Sequence, residues 1–454
     1  MGCRSEALVK SGRWSNWGRN QSADPARRYT PTSEEEVGAL VSRGVAERRT
    51  VRAVGSGHSF SDIAVTNGLM IDMSRFDDIS KVDIATRRVT VGSGVVLADL
   101  NQRLREVGLA LPNLGDIDAQ TLAGATATAT HGTGINHQCI SAAIVGARLV
   151  SGDGGLVDID EFNRPDLLGP VRCSLGALGI VTEMTLQCVP AFNLHAVEST
   201  HDVDEVLERF PTLSANNDHV EFYWFPHTRT AQLKVNNKTS EPEGNARLAR
   251  FVNDEVLANA GFGLLNVAGR RIPGVVAPVM RAAMKPGQRA EYVAASHAVF
   301  CSPRRVRFIE MEYAIPAESV LEAFNRVRDA VSRVGRPISF PIEVRVLGRD
   351  NIPLSMASGR VSAFIAVHVP TRTRFDDYFS RIEEIMNDYG GRPHWGKLHF
   401  QTAETLAPRY PDWGDFHAAL RELDPDGHFA NDYLSRVLRG EDFRQMIGER
   451  HRGD

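Results

Sequence analysis

The sequence predicts an α+β protein built as two domains, and three observations support this. The chain has 454 residues, more than one hydrophobic core usually serves. Its texture changes near residue 193, from short Gly-, Val- and Thr-rich runs to longer helices and half-polar strands. After Arg305 the order is strand, helix, strand, strand, helix, which suits a split, mostly antiparallel sheet backed by helices. The expected boundaries are 22–192 and 193–440, with the C-terminal end packing back on the first domain.

The elements follow in chain order. Ser33 and Glu36 form a capping-box signal before an apolar stripe at Val37, Leu40, Val41 and Val45, which predicts a short helix. Strands are expected at Val51–Val54, Leu69–Met73 and Arg88–Val91. A second helix carries Leu97, Leu100, Leu104 and Val107 and ends at Gly108. Ile144–Val150 and Leu156–Ile159 flank SGDGG and read as a hairpin. Ile180 to Cys188 alternates as a strand does. Later come a strand Val306–Ala314, a helix Ala317–Val334, strands Ile342–Leu347 and Val361–Val369, and a helix Phe375–Tyr389. The polar stretch Asn237–Asn245, with Pro242 and Gly244, reads as a linker.

Composition narrows the function. The net charge is −4 with no long run of one sign, so no nucleic-acid partner is expected. The five cysteines are odd in number, widely spaced and lack a CxxC pair, which suits the cytoplasm and argues against a disulfide framework or a structural zinc site. The N-terminus lacks an apolar signal core, and Glu6 stands where a myristoylation signal needs Ser or Thr. Arg270, Arg271 and Pro273 interrupt the apolar stretch Gly261–Met280, so it should not span a bilayer. Peripheral membrane contact is not expected.

The most informative string is VRAVGSGHSFSD, Val51 to Asp62. A strand runs into Gly55, Ser56, Gly57, His58 and Ser59, and such a loop presents consecutive N–H groups to a phosphate. A nicotinamide-dinucleotide fingerprint would need Gly at position 60, where Phe60 stands. A bare GxGH is also what a surface turn offers. Two further segments favour a ligand. LAGATATATHGTG, Leu122 to Gly134, reads as a Gly/Thr-rich loop, and SLGALGIVTEMTL, Ser174 to Leu186, holds glycines that allow close backbone approach. Three separated small-residue segments suggest one extended ligand wrapped by backbone, and FAD has that shape.

A second constellation lies near the C-terminus. In FPIEVRVL a period of two puts Glu343 and Arg345 on one strand face. An exposed ion pair at a sheet edge would look the same. His368 shares a face with Phe364 and Ala366, as a satisfied core histidine also would. Lys397 ends the loop GRPHWGK, Gly391 to Lys397. His394, His399 and His428 fit no usual ligand spacing, and no metal is expected.

With WSNWG (Trp14–Gly18), GSGHSFSDIA, THGTG, SLGALGIV, EFYWFPH (Glu221–His227), FPIEVR, GRPHWGK and LDPDGHFANDYL (Leu423–Leu434) in order, the chain resembles the aldonolactone oxidases, FAD-linked enzymes of the vanillyl-alcohol-oxidase type. The resemblance spans nearly the whole chain. It implies a two-part FAD-binding domain, an α+β substrate domain over the flavin, and a covalent link from His58 to the flavin. The expected cofactor contacts are His58, Gly55, Ser56, Gly57, Ser59, Phe60, Gly115, Asp116, Gly124, Thr128, His131, Gly132, Gly134, Gly179, Ile180 and Val181. The resemblance places Glu343, Arg345, Lys397 and His368 in the active site.

The implied reaction oxidises the C2 hydroxyl of a sugar 1,4-lactone, with oxygen or another redox acceptor taking the electrons. Such chemistry requires hydride loss to flavin N5 and proton loss from oxygen. Arg345 and Lys397 suit the negative charge that develops on the flavin. Glu343 suits sugar hydroxyls and the orientation of Arg345. Both His368 and Lys397 remain candidates for the base. Competing readings are an alditol oxidase, a flavin reductase of the enolpyruvyl-sugar type, and a flavin-binding protein without turnover.

Overall fold

Ser33 starts the first helix as its sequence predicts. Its hydroxyl accepts the Glu36 N–H at 3.3 Å, while Glu36 Oε2 takes the Thr32 N–H at 2.7 Å. The computed structural model describes residues 8–9, 12–244, 272–335 and 337–439. The helix, Glu34–Ala46, buries Val37, Leu40 and Val41 against a four-stranded sheet ordered Leu8–Val9, Arg27–Tyr29, Leu69–Asp72, Val51–Val54. A five-stranded antiparallel sheet follows, ordered Leu156–Asp160, Ile144–Val150, Ile180–Gln187, Arg88–Gly92, Ile79–Asp83. The helix Leu97–Glu106 packs Leu97, Leu100 and Leu104 into the same core cluster as Val89, Val91 and Leu186.

One expectation is corrected in this region. Leu122–Gly134 is not loop throughout, because Leu122–Ala127 forms a helix. Its small residues suit a crowded site: Leu122 and Ala125 are buried in the core. The Thr126 and Thr128 hydroxyls turn back on the Leu122 and Gly124 carbonyls at 3.0 and 3.3 Å.

The second part is one eight-stranded sheet, ordered Arg289–Ala295, Asn193–Asp202, Thr230–Thr239, His219–Trp224, Ile342–Leu347, Ser362–Pro370, Phe308–Pro316, Arg392–Pro393. Every pairing in it is antiparallel. The helices Val203–Asn216, Val320–Ser332 and Asp376–Asn387 cover one face through Phe210, Phe222, Phe324, Val327, Phe379 and Ile382. A 3₁₀ turn, Ala317–Ser319, takes up the first residues of the expected Ala317–Val334 helix. Asn237 belongs to the Thr230–Thr239 strand, not to a linker. Its side-chain amide accepts the Asp218 N–H at 2.9 Å through Oδ1 and donates to Asn217 Oδ1 at 2.9 Å through Nδ2, which lets a polar residue hold strand geometry. Asn245 lies outside the described residues, as does 261–271 of the apolar stretch Gly261–Met280. Among the described residues no helix is long and apolar enough to cross a membrane.

The C-terminal string LDPDGHFAND closes the structure. Asp424 accepts the N–H groups of His428 and Phe429 at 2.7 and 3.1 Å, and the His428 carbonyl receives the Val51 N–H at 2.8 Å. Asn431 Nδ2 reaches the Val65 carbonyl at 2.9 Å. Arg52 is 3% exposed and donates to the carbonyls of Ile63, Gly176, Phe429 and Leu175 at 2.6, 2.7, 2.9 and 3.1 Å. One guanidinium therefore joins the strand before the glycine loop to the Leu175–Gly176 turn and the C-terminal segment. Replacing Arg52 by Met should cost about 3 kcal/mol or more, because buried carbonyls lose a charged donor. Urea unfolding checks this, and a midpoint equal to wild type would contradict it.

Candidate active site

The strand Val51–Val54 delivers the glycine loop. Gly57 has φ +69°, in the left-handed region that favours glycine. Trp17 N–H bonds the Gly57 carbonyl at 2.8 Å and Asn16 Nδ2 bonds the Ser59 carbonyl at 2.9 Å, so WSNWG braces the loop. Among the described residues no acceptor takes the N–H groups of Ser56, Gly57, His58 or Ser59, which leaves a run of donors suited to an anion. The His58 ring stacks on Trp17 at 5.5 Å. Burial, and then the Lys397 charge, lower its imidazole to about 4, so it is neutral near pH 7 and keeps a lone pair for bonding.

The other expected cofactor residues fall into three groups. Gly115, Asp116, His131 and Gly132 lie on two touching turns. A Cβ on Gly132 would stand 2.1 Å from the Leu114 carbonyl, so only glycine permits that approach. His131 is buried, and its Nε2 has no hydrogen-bond partner. Gly124 and Thr128 join through the Thr128 hydroxyl at the C-terminal end of the short helix. Gly179, Ile180 and Val181 enter a strand, with Ile180 and Val181 opposite Val150 and Leu149. Gly134 donates its N–H to the Val346 carbonyl at 2.7 Å and so splices the THGTG turn to the eight-stranded sheet. Phe60 is 3% exposed and donates its N–H to the Gly396 carbonyl at 2.6 Å, which anchors the Lys397 loop. The open donor run and the neutral His58 fit a phosphate-bearing flavin cofactor.

The face of the eight-stranded sheet opposite the helices carries the charge. Glu343 and Arg345 are each 6% exposed, in a central strand, so the edge ion-pair reading fails. Arg345 Nε meets Glu221 Oε2 at 2.9 Å, and its Nη2 contacts Asp116 and Glu343. The Tyr223 hydroxyl lies 2.9 Å from Glu343 Oε1, 3.0 Å from Asp116 Oδ2 and 3.1 Å from Glu221 Oε1. Arg304 pairs with Asp116 at 2.9 Å, and Lys234 with Glu221 at 3.5 Å. Burial alone would raise Asp116, but Arg345, Arg304 and Lys234 outweigh it and hold this carboxyl below its usual range. Glu343 goes the other way, to about 8, because burial and the neighbouring carboxylates outweigh Arg345. A protonated Glu343 also resolves the hydrogen count, since Tyr223 has one proton and faces three carboxyls.

A second group adjoins the first. Glu310 contacts Lys397 Nζ through Oε2 and stands 3.4 Å from His368 Nε2 through Oε1. Glu310, Glu343 and His368 each offer an atom within 4.8 Å of the others. His368 Nδ1 lies 3.2 Å from the Pro341 carbonyl, which can only accept, so Nδ1 holds the hydrogen and Nε2 faces Glu310. Burial works against the Lys397 ammonium, but Glu310 and Glu312 raise it above the ordinary lysine value. Glu312 is pushed up to about 7 by burial and stands 3.5 Å from His131.

All four residues that the sequence assigned to the active site, Glu343, Arg345, His368 and Lys397, lie on this face or at its rim. The structure adds Glu221, Tyr223, Glu310 and Glu312. Their signal was present: EFYW and FIEMEYAIP both alternate acid or phenol with apolar residues at period two. His399 bonds Tyr433 at 3.0 Å and His428 lies 3.9 Å from Asp426, apart from His394.

Fold and site define an FAD-binding oxidoreductase. The D-arabinono-1,4-lactone oxidase family matches residues 184–437, and an FAD-binding domain family matches residues 25–160. The chain belongs to the D-arabinono-1,4-lactone oxidase family. It is 44% identical to the L-gulono-1,4-lactone dehydrogenase of Mycobacterium tuberculosis over 94% of this chain and 99% of that protein. It is 32% identical to the L-gulonolactone oxidase of Bos taurus and 31% to an alditol oxidase of Streptomyces, each over 94% of this chain and 99% of the relative. The cholesterol oxidase of Brevibacterium sterolicum shares the fold at 17% identity, with a TM-score of 0.79 over 95% of this chain and 97% of that one.

Proposed function

We propose that the protein oxidises the C2 hydroxyl of an aldono-1,4-lactone such as L-gulono-, L-galactono- or D-arabinono-1,4-lactone. Residues 22–192 bind FAD, attached covalently at His58, and residues 193–440 bind the lactone. The observation that carries the reading is the buried row of Glu343, Arg345 and His368 on one sheet face, with the Lys397 ammonium at its rim. The lactone-named relatives support the substrate class.

FAD, when bound, supplies a two-electron acceptor for hydride and is re-oxidised by oxygen or another acceptor. The remaining work belongs to the chain. Glu343 and Tyr223 bind lactone hydroxyls, and Arg345 fixes Glu343. His368 Nε2 takes the proton from the reacting oxygen. Lys397 contributes positive charge and no base, because Glu310 and Glu312 keep its proton on. The free, buried Cys139, Cys173, Cys188 and Cys301 fit a reducing cytoplasm.

Lactones and open-chain alditols are to be mixed separately with oxidised enzyme without oxygen while flavin absorbance is followed. The reading expects bleaching by at least one lactone. Bleaching by xylitol or sorbitol and by no lactone would replace it with the alditol alternative. Covalent attachment is tested separately. Acid precipitation should leave yellow flavin with wild-type protein and release it from His58→Ala. Flavin released from the wild type would refute the link.

A further inference from the structure

The strand Phe308–Pro316 places two acids, Glu310 and Glu312, on the charged face, and Glu310 touches both Lys397 and His368. Glu310 is 4% exposed. It lies directly across from His368 in the antiparallel ladder, so the backbone register fixes their separation. Its two carboxylate oxygens divide: Oε2 contacts Lys397 Nζ, and Oε1 faces His368 Nε2 at 3.4 Å. Lys397 comes from a loop whose attachment also runs through this residue, since the Leu398 N–H donates to the Glu310 carbonyl at 2.9 Å. Both side chains that flank the reacting position therefore depend on one carboxylate.

We propose that Glu310 is a positioning residue that holds Lys397 as a fixed ammonium and stabilises the proton that arrives on His368. The inference rests on the lactone reading for the identity of the reacting hydroxyl. It does not rest on that reading for the contacts themselves. The bookkeeping is simple. The O–H bond of the alcohol breaks, its proton goes to His368 Nε2, and the hydride from the adjacent carbon goes to the flavin that the fold binds. Before the step Glu310 balances one positive charge, on Lys397. Afterwards it stands between two. Without it, a new cation at His368 would form beside an ammonium with no charge between them, so the proton transfer should slow while lactone binding by Glu343 and Tyr223 persists.

Other titratable groups face Lys397 as well. Glu312 projects from the same strand as Glu310, Glu343 from Ile342–Leu347, His58 from the glycine loop, His131 from the THGTG turn, and His394 from the same loop as Lys397, and burial favours the neutral form of all three histidines. Glu310 is the acid that touches the ammonium, so its loss should be felt over the others.

The test uses the flavin-loaded enzyme as wild type, Glu310→Gln and Glu310→Asp. Each is treated with acetic anhydride at mildly alkaline pH, and acetylation of Lys397 is compared by peptide mass spectrometry with that of exposed Lys81. Loss of an adjacent opposite charge should raise the free-amine fraction, so Lys397 acetylation in Glu310→Gln should increase about tenfold over wild type. The limiting rate of anaerobic flavin reduction should fall about 100-fold, while the lactone concentration giving half that rate changes little. Glu310→Asp, whose shorter carboxylate reaches less well, should be intermediate in both. Wild-type acetylation of Lys397 in Glu310→Gln, or an unchanged reduction rate, would overturn the proposal. If Glu310→Gln fails to fold, wild-type acetylation in Glu310→Asp overturns it instead. A wild-type enzyme that no lactone reduces would refute the substrate reading, and the acetylation comparison would still decide the role of Glu310.

Discussion

Arg345 is the cation around which the two parts of the chain meet. Three carboxyl groups surround it: Glu221 and Glu343 from its own sheet, and Asp116 from the turn that touches THGTG. A guanidinium has five N–H donors in a fixed plane, so it can serve several acids at once where an ammonium cannot hold that geometry. Burying this many charges carries a large desolvation cost, and close pairing is what offsets it. The arrangement is consequently demanding. Each acid needs the cation, and the cation needs a sheet stiff enough to keep the acids in register.

The fold meets that demand through the opposite face. Phe222, Val344 and Ile365 point into the helix-covered core and fix the strands, and the residues next to them in sequence, Glu221, Tyr223, Glu343 and Arg345 among them, point into the charged row. The pair Glu221 and Arg345, and the pair Tyr223 and Glu343, are direct ladder partners. Separation along the row then sorts the acids by role. Asp116, flanked by Arg345 and Arg304, stays ionised, while Glu343, deeper among carboxylates, is pushed up to about 8. The same sorting recurs at Glu310, held ionised chiefly by the Lys397 ammonium, and Glu312, pushed up to about 7. Groups with separated proton affinities are what an oxidation that moves a proton and a hydride requires.

Much of this was legible from the chain. The capping residues of the first helix, the Ile342–Leu347 strand and the shared face of Glu343 and Arg345 follow from local periodicity. The glycine loop around His58 follows from its spacing after a strand, whereas its bracing by Trp17 and Asn16 comes from a segment well upstream in the chain and leaves no local signal. The Leu122–Ala127 helix was hidden because its stability comes from close packing and threonine back-bonding, not from an apolar stripe. Asn237 was read as linker because its partners, Asn217 and Asp218, belong to a neighbouring strand connection. Glu310 and Glu312 alternate visibly in FIEMEYAIP, but an acid flanked by large apolar residues gives no hint of which lysine or histidine will face it. Asp116 is the extreme case, since its partner Arg345 is 229 residues away.

The central claim is that Asp116 and Arg345 act as one unit across the two parts of the chain. A double-mutant cycle with Asp116→Asn, Arg345→Gln and the combined variant measures this directly, using the unfolding free energy of the flavin-loaded enzyme. The account predicts a coupling of about 1–3 kcal/mol, as expected for contacting charges in one buried network. Additivity of the two single effects to within about 0.5 kcal/mol would contradict it.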